Sequence, residues 1–392
     1  MSKLRRVAMI GAGLTKFGEH WNLSFRELGT EAAIKAVENS NIDGKEIEAM
    51  YIGCMASGRF VGQEHIGALV ADQLGLNPIP STRVEAACAS GGLALRTGYL
   101  SIASGEHDIV AVGGIEKMTE VTTAEAGFAL GGAGDQETEL FHGATFPALY
   151  ALLAKVHMKQ FGTTEEQMAA VSVKNHKNAV HNPIAQFRKE ISIEQVMKSG
   201  YVATPLKLLD CSPISDGAAA VILAEIGLAK KLCENPVEII GSTHATDSLA
   251  LTGRKSLTEL NATKVASAQL FHQTGLTPKD IDMAEVHDCF SIAEILAIED
   301  IGFFKKGQGG PATEQGKTAL DGEIAINPSG GLKGCGHPVG ATGVKQAAEM
   351  FQQLRGEAGG RQVKEAEIGL THNVGGSGAT CVMHAFRLME NR

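Results

Sequence analysis

Cys88 stands in the run Val84-Glu-Ala-Ala-Cys-Ala-Ser-Gly-Gly92, where a strand-like approach gives way to small residues that can start a helix. A thiol at a helix N-terminus meets free N–H groups and the positive end of the macrodipole. Both favour the thiolate, the form that attacks an electrophilic carbon. A buried structural cysteine, the commonest fate of a free thiol, is the competing reading. His337 lies in Asn327-Pro-Ser-Gly-Gly-Leu-Lys-Gly-Cys-Gly-His-Pro-Val-Gly-Ala-Thr-Gly343, a glycine-dense loop that turns into a helix. A histidine there can take the proton of Cys88 or donate to an oxyanion. Read alone, it also fits a cap in a tight turn. In Val286-His-Asp-Cys-Phe290, alternation after a short strand puts His287 and Cys289 on one face and Asp288 on the other. That pairs a proton-transferring thiol with a donor, or leaves a strand end with one core cysteine. In Ile368-Gly-Leu-Thr-His-Asn-Val-Gly-Gly-Ser-Gly378, His372 and Asn373 lie at the mouth of a glycine turn around Gly375 and Gly376. Such a turn can aim backbone N–H groups into a site as an anion nest, or can be an ordinary glycine-rich connection.

These residues need a frame to bring them together, and the chain supplies one by repeating itself. Residues 30–53, TEAAIKAVENSNIDGKEIEAMYIG, and 265–288, VASAQLFHQTGLTPKDIDMAEVHD, each read as an amphipathic helix, a turn, Lys-Glu-Ile or Lys-Asp-Ile, and a short strand. After each comes a second unit. Cys88 opens a helix ending near Gly105, then a strand from Ile109 to Val112. His337 opens a helix ending near Leu354, then a strand from Ile368 to Thr371. The pattern predicts two α/β halves related by a pseudo-twofold axis, with Cys88 and His337 at corresponding strand-to-helix junctions. The expected partition is 1–116 plus 206–262 for the first half, 117–205 for a helical insertion, and 263–392 for the second half. The insertion is helix-patterned from Phe146 to His181 and is expected over one face of the first half, lending substrate contacts or only stability.

Composition limits the rest. With 44% hydrophobic and 20% charged residues among 392, the chain has a globular profile. A net charge of -9 and the lack of any basic run argue against a nucleic-acid partner. The seven cysteines are Cys54, Cys88, Cys211, Cys233, Cys289, Cys335 and Cys381. They form no C-x-x-C pair, which argues against a disulfide framework or zinc ribbon and for a reducing, cytoplasmic setting. The charged start Lys3-Leu4-Arg5-Arg6 precedes a short glycine-broken apolar run that reads as a strand rather than a signal peptide. The ending Met389-Glu390-Asn391-Arg392 is no peroxisomal address, and no segment reads as a membrane span. Gly11-Ala-Gly13 lacks the third glycine of a dinucleotide fingerprint, Lys16 standing there. No complete Gly-x-x-x-x-Gly-Lys-Ser/Thr loop occurs, Pro311 standing where Gly316-Lys-Thr318 would need its first glycine, and no H-E-x-x-H occurs, so neither a nicotinamide cofactor nor a metal is expected.

C-A-S-G at Cys88, H-D-C-F at His287 to Phe290, G-H-P at Gly336 to Pro338 and H-N-V-G-G at His372 to Gly376 resemble the four active-site motifs of thiolases, in their order. The likeness runs along nearly the whole chain, including Asn175-His-Lys-Asn-Ala179 and Asn182-Pro-Ile-Ala-Gln-Phe187. Many thiolases carry N-E-A-F in place of the H-D-C-F motif and a cysteine in place of Asn373. The H-D-C-F form resembles the sterol-carrier-protein-like branch, and within it the archaeal acetyl-CoA acetyltransferases. The resemblance implies the thiolase fold, a five-layered αβαβα arrangement. It implies condensation of two acetyl-CoA, or thiolysis of a 3-ketoacyl-CoA, through an S-acyl Cys88, with coenzyme A thioesters as substrates and no cofactor. His337 then activates Cys88, Cys289 takes the methyl proton of the second acetyl-CoA, and His337 and His287 hold the enolate oxygen. The N–H groups of Cys88 and Gly375 cradle the tetrahedral oxyanion, Asn373 sits in the same loop, and Ser242 is a pantetheine contact. Lys174, Lys177, Arg188 and Lys207 are candidates for the coenzyme A phosphates. A homodimer or tetramer is implied, together with a complex with a hydroxymethylglutaryl-CoA synthase and a zinc-ribbon OB-fold protein, feeding the mevalonate pathway. The alternatives are a longer-chain 3-ketoacyl-CoA thiolase, a decarboxylating 3-ketoacyl synthase using Cys88, His287 and His337, and a thiolase-like scaffold subunit. Cys289 argues against the synthase, which needs no such base.

Overall fold

The protein is described by a computed structural model covering residues 4–389, so Lys3 and Glu390-Asn391-Arg392 lie outside the described residues. Its strands are β1 (Val7–Leu14), β2 (Ala49–Gly53), β3 (Ser81–Val84), β4 (Ile109–Glu116), β5 (Tyr201–Ala203), β6 (Leu206–Lys207), β7 (Gly217–Glu225), β8 (Val237–Thr246), β9 (Met283–Glu285), β10 (Ala325–Ile326), β11 (Ile368–Gly375) and β12 (Thr380–Leu388). Ten of them form one sheet in the order β10-β9-β11-β12-β8-β1-β7-β4-β2-β3, and β5 and β6 form a hairpin. Read outward from the middle, the two sides run β1-β7-β4-β2-β3 and β8-β12-β11-β9-β10, the same pattern twice. The duplication read from residues 30–53 and 265–288 is therefore built into the sheet. The sides join where Ala8 faces Glu238 and Met9 faces Val237. β8 runs antiparallel to β12 from Val237 to Thr246, so this strand, inside the 206–262 segment assigned to the first half, heads the sheet of the second.

Three helical layers cover these faces. The helix Phe25–Ser40 starts at a capping box, Ser24 with Glu27, and buries Leu28, Ala32 and Ala36 on the outer face of the first half. The helices Asn261–Thr274 and Ser291–Asp300 cover the outer face of the second half. Between the two sides lie the helices Ser90–Ser104 and Thr342–Leu354, whose Leu95, Ile102, Val344 and Phe351 share one core with Val112, Val221 and Phe386. β7, GAAAVILAE, is apolar almost throughout because helices cover it on both faces. The helix Thr342–Leu354 is enclosed all round, so its polar residues are paired inside: the ammonium of Lys345 lies 2.8 Å from Glu285, and Glu349 takes Arg361 at 2.9 Å.

The insertion is helical, with helices Thr123–Gly131, Phe146–Phe161, Glu165–Ala179 and Ile193–Lys198. The helical stretch expected from Phe146 to His181 is two helices, broken at Gly162 with φ 76°. Leu149, Leu153, Met168 and Val171 pack on Ile292, Ile295 and Leu296 of the helix Ser291–Asp300. The expected seat over the first half is thereby corrected: these apolar stripes find their match on the second half, beside Cys289 and Phe290.

Candidate active site

Cys88 sits in a tight turn between β3 and the helix Ser90–Ser104. Ala87 takes a left-handed φ of 52°, a conformation that a non-glycine residue holds only when its surroundings impose it. Ser90 imposes it, its hydroxyl donating to Ala87 O at 2.6 Å and accepting from Ala86 N at 3.0 Å. The N–H groups of Gly376 and of Cys88 itself face its sulfur. The neighbouring Gly375, expected to help cradle the tetrahedral oxyanion, ends β11, where a Cβ would stand 2.4 Å from Ala86 O.

The second half brings two histidines to this sulfur. Cys88, His287 and His337 place one side-chain N or S atom each within 4.8 Å of one another, and the imidazole rings meet edge to face with centroids 5.0 Å apart. His337 does not stand where the repeat suggested. A short helix, Gly331–Cys335, comes between β10 and His337, so the histidine lies five residues before its long helix while Cys88 lies two before its own. Asp288 anchors that short helix, accepting from Leu332 N at 2.7 Å and Lys333 N at 3.2 Å. A Cβ on Gly331 would come within 2.3 Å of the same carboxylate, which is why glycine is needed there. Asp288 thus faces away from the thiol, as alternation predicted. His337 N then donates to Ser215 Oγ at 3.0 Å, and its Nδ1 meets Thr342 Oγ1 at 2.7 Å. Thr342 spends its own proton on Pro338 O at 3.1 Å, so His337 Nδ1 is the donor and Nε2 keeps its lone pair.

His287 is oriented the other way. Asn373 Nδ2 donates to His287 Nδ1 at 3.2 Å, while His287 Nε2 is buried with no partner among the described residues. His372 supports it from behind, accepting from His287 N at 3.3 Å and meeting Thr263 Oγ1 at 2.9 Å. His372 is therefore a buried support rather than a group at the mouth of the site. Cys289 is buried beside Cys88 and hydrogen-bonded to the Tyr150 hydroxyl, which reaches Gly376 O at 3.1 Å. Tyr150 leans on Phe290 at 4.7 Å between ring centroids.

Burial dominates the electrostatics. It pushes the Cys88 thiol up to about 12 and the Cys289 thiol well above its usual value. It brings His337 down to about 3, with Lys345 adding repulsion, and His287 well below its usual value. The resting set is therefore neutral thiols beside neutral imidazoles. The thiolate expected from the helix N-terminus is not the ground state, because lost hydration of the charged sulfur outweighs the N–H groups. The arrangement offers a nucleophile, an unprotonated Nε2 to accept its proton, an Nε2–H donor, a second thiol and a backbone N–H, all on one small volume.

Other candidates lie elsewhere. Ser242 is buried within β8, its hydroxyl 3.1 Å from Arg96. Lys174 pairs with Glu294 at 2.7 Å and Lys207 with Glu165, so both are spent on structure. Arg188 donates to Val180 O at 3.3 Å, and Lys177 is exposed. The asparagine motifs of the insertion hold the loop before His337. Asn175 bridges Asp288 at 2.7 Å and Glu294 at 2.8 Å, and Asn182 reaches Ser329 O at 2.9 Å. Sequence reasoning missed Tyr150, Ser215 and Thr342. Thr342 alone left a signal, five residues after His337 at the helix start.

Comparison with known proteins agrees with this geometry. Residues 7–226 match the family model "Thiolase, N-terminal domain" and residues 243–387 match "Thiolase C-terminal domain-like". The chain belongs to the thiolase family. The acetyl-CoA acetyltransferase of Methanothermobacter thermautotrophicus is 56% identical to it over 98% of this chain and 100% of that protein. That of Methanocaldococcus jannaschii is 50% identical over 97% of this chain and 98% of that protein. Among solved structures, the Ltp2-ChsH2(DUF35) aldolase has the same fold, with a TM-score of 0.86 at 22% identity over 99% of each chain.

Proposed function

We propose that the chain is an acetyl-CoA acetyltransferase, condensing two acetyl-CoA to acetoacetyl-CoA and coenzyme A and running the reverse thiolysis. The observation that carries this reading is the meeting of Cys88, His287 and His337 within 4.8 Å, with Cys289 beside them. The identity to the two archaeal acetyltransferases supports the choice of acyl group.

In the proposed course, Cys88 attacks the thioester carbonyl while its proton passes to the lone pair of His337 Nε2. His287 Nε2–H faces the oxygen on which charge gathers, and the N–H groups of the Cys88 loop and the Gly375–Gly376 turn hold the tetrahedral oxyanion. The coenzyme A sulfur leaves with the proton of Cys289. That makes a buried thiolate, poorly solvated and strongly basic, which takes a methyl proton from the second acetyl-CoA. The protonated His337 and His287 donate to the enolate oxygen. The carbanion attacks acetyl-Cys88, and Cys88 leaves with the proton stored on His337. All four groups return to their starting states, and one coenzyme A and one acetoacetyl-CoA are released. A decarboxylating synthase has no step for Cys289.

The finer assignments belong to the same proposal. The division is 1–116 with 206–262, 117–205 and 263–392, its seam drawn toward β8. A cytoplasmic setting agrees with seven free cysteines; among the described residues no helix is long and apolar enough to cross a membrane. Homo-oligomerisation, and a complex with a second protein that passes acetoacetyl-CoA toward mevalonate, extend it further. Likeness to a solved assembly whose name carries two components supports the complex.

The test separates the two thiols. Cys289→Ala should still acquire an acetyl group on Cys88 from acetyl-CoA, yet exchange its acetyl methyl protons with deuterated water about 10²-fold more slowly or worse. Exchange at the wild-type rate would remove Cys289 from the mechanism.

A further inference from the structure

We propose that Asn373 is a positioning residue that fixes the proton of His287 on Nε2, so that this histidine is a standing hydrogen-bond donor and neither a base nor a metal ligand. The proposal deepens the reading of His287 as the donor to the developing oxyanion.

The argument starts from an amide that cannot turn over. Gly92 N donates to Asn373 Oδ1 at 3.0 Å, and Asn373 Nδ2 donates to Cys88 O at 3.0 Å. Reversing the amide would set N–H against NH2 and oxygen against oxygen, losing both bonds. With the amide so held, the group that faces His287 Nδ1 at 3.2 Å is Nδ2, which can only donate. Nδ1 must therefore present a lone pair. Burial keeps the ring neutral, so its single proton sits on Nε2. That nitrogen is buried and has no partner among the described residues, the state of a donor held for a substrate oxygen.

The same bond has a second consequence. A cysteine and two histidines whose donor atoms lie within 4.8 Å of one another have the make-up of a three-ligand zinc site with an open position. Zinc binds a histidine through a lone pair, and second-shell partners choose which nitrogen has it. His337 is oriented for ligation, with Nδ1–H on Thr342. His287 is oriented against it. Asn373 thereby keeps the cluster a proton-handling site, and one oxygen in place of its nitrogen should undo this.

The test is made on the full-length protein labelled with 15N-histidine, the His287 resonances being found by difference from His287→Gln. In the wild type His287 Nδ1 should give the signal of an unprotonated ring nitrogen and Nε2 that of an N–H. In Asn373→Asp, whose carboxylate can only accept, the two should exchange, and zinc alone should bind about 10–100-fold more tightly, read by chelator competition. A protonated Nδ1 in the wild type, or unchanged signals in Asn373→Asp, would overturn the assignment. Zinc affinity equal to the wild type would overturn the metal clause. If Asn373→Asp does not fold, Asn373→Ala takes its place. Loss of the donor should then give a mixture of the two tautomers, and an unmixed Nε2–H signal would count against Asn373. None of these signals needs turnover, so a protein that shows them but never acylates Cys88 sinks the acetyltransferase reading and leaves this one standing.

Discussion

The thiol proposed as the nucleophile is stored in its unreactive form. Cys88 is pushed up to about 12 and His337 down to about 3, so neither carries charge at neutral pH. Proton transfer is thus part of the attack rather than a preliminary to it. Alkylation by iodoacetamide needs the thiolate, and a thiolate fraction grows tenfold per pH unit while the pH lies below the thiol's pKa. The rate at Cys88, followed by peptide mapping, should therefore climb by about tenfold per unit from pH 7 to pH 9. A plateau across that range would mean a preformed thiolate–imidazolium pair. Cys88, His287, Cys289 and His337 could be singled out because each lies in a short motif resembling those of thiolases, while the local pattern alone left a structural reading open for each. Tyr150 and Ser215 could not be singled out, because their roles come from contacts with Gly376 and His337, more than a hundred residues away. For Ser242, sequence gives only its place at a strand, and packing adds that Arg96 bonds its hydroxyl.

At the scale of elements, the two central helices bring the halves of the site together by touching at glycine. A Cβ on Gly343 would lie 2.1 Å from Gly92 N and 2.3 Å from Asn373 Oδ1, and one on Gly91 would lie 2.7 Å from Gly340 O. The glycine density around His337 therefore serves a helix crossing as well as a turn. Gly343→Ala should force the helices apart, lowering stability by about 1–3 kcal/mol in urea unfolding. It should also loosen Asn373 and so slow Cys88 acylation, measured under conditions where the variant is folded. Wild-type acylation would mean that the crossing does not set the site. The order of helices and strands was legible from the repeat and its turns. The five residues Gly331–Cys335 were not, because a helix that short has no periodicity to read and depends on Asp288 for its shape.

The whole molecule is one sheet pattern used twice, and the two copies do different work. The first supplies Cys88; the second supplies His287, Cys289 and His337; the insertion supplies Tyr150 and the asparagines that brace the His337 loop. The pseudo-twofold pattern was visible in residues 30–53 and 265–288. The seating of the insertion on the second half was not, since which apolar stripe meets which depends on the assembled surfaces. Because the proposed nucleophile and its proposed base come from opposite halves, the central claim is a chemical event between them. The measurement that tests it most directly is the intact mass and peptide map of the protein after brief exposure to acetyl-CoA, for the wild type and His337→Ala. The account predicts one acetyl group on Cys88 in the wild type and acylation slowed by about 10²-fold or more in His337→Ala. An acetyl group on another residue, no adduct on folded wild-type protein, or equal rates in the two would contradict it.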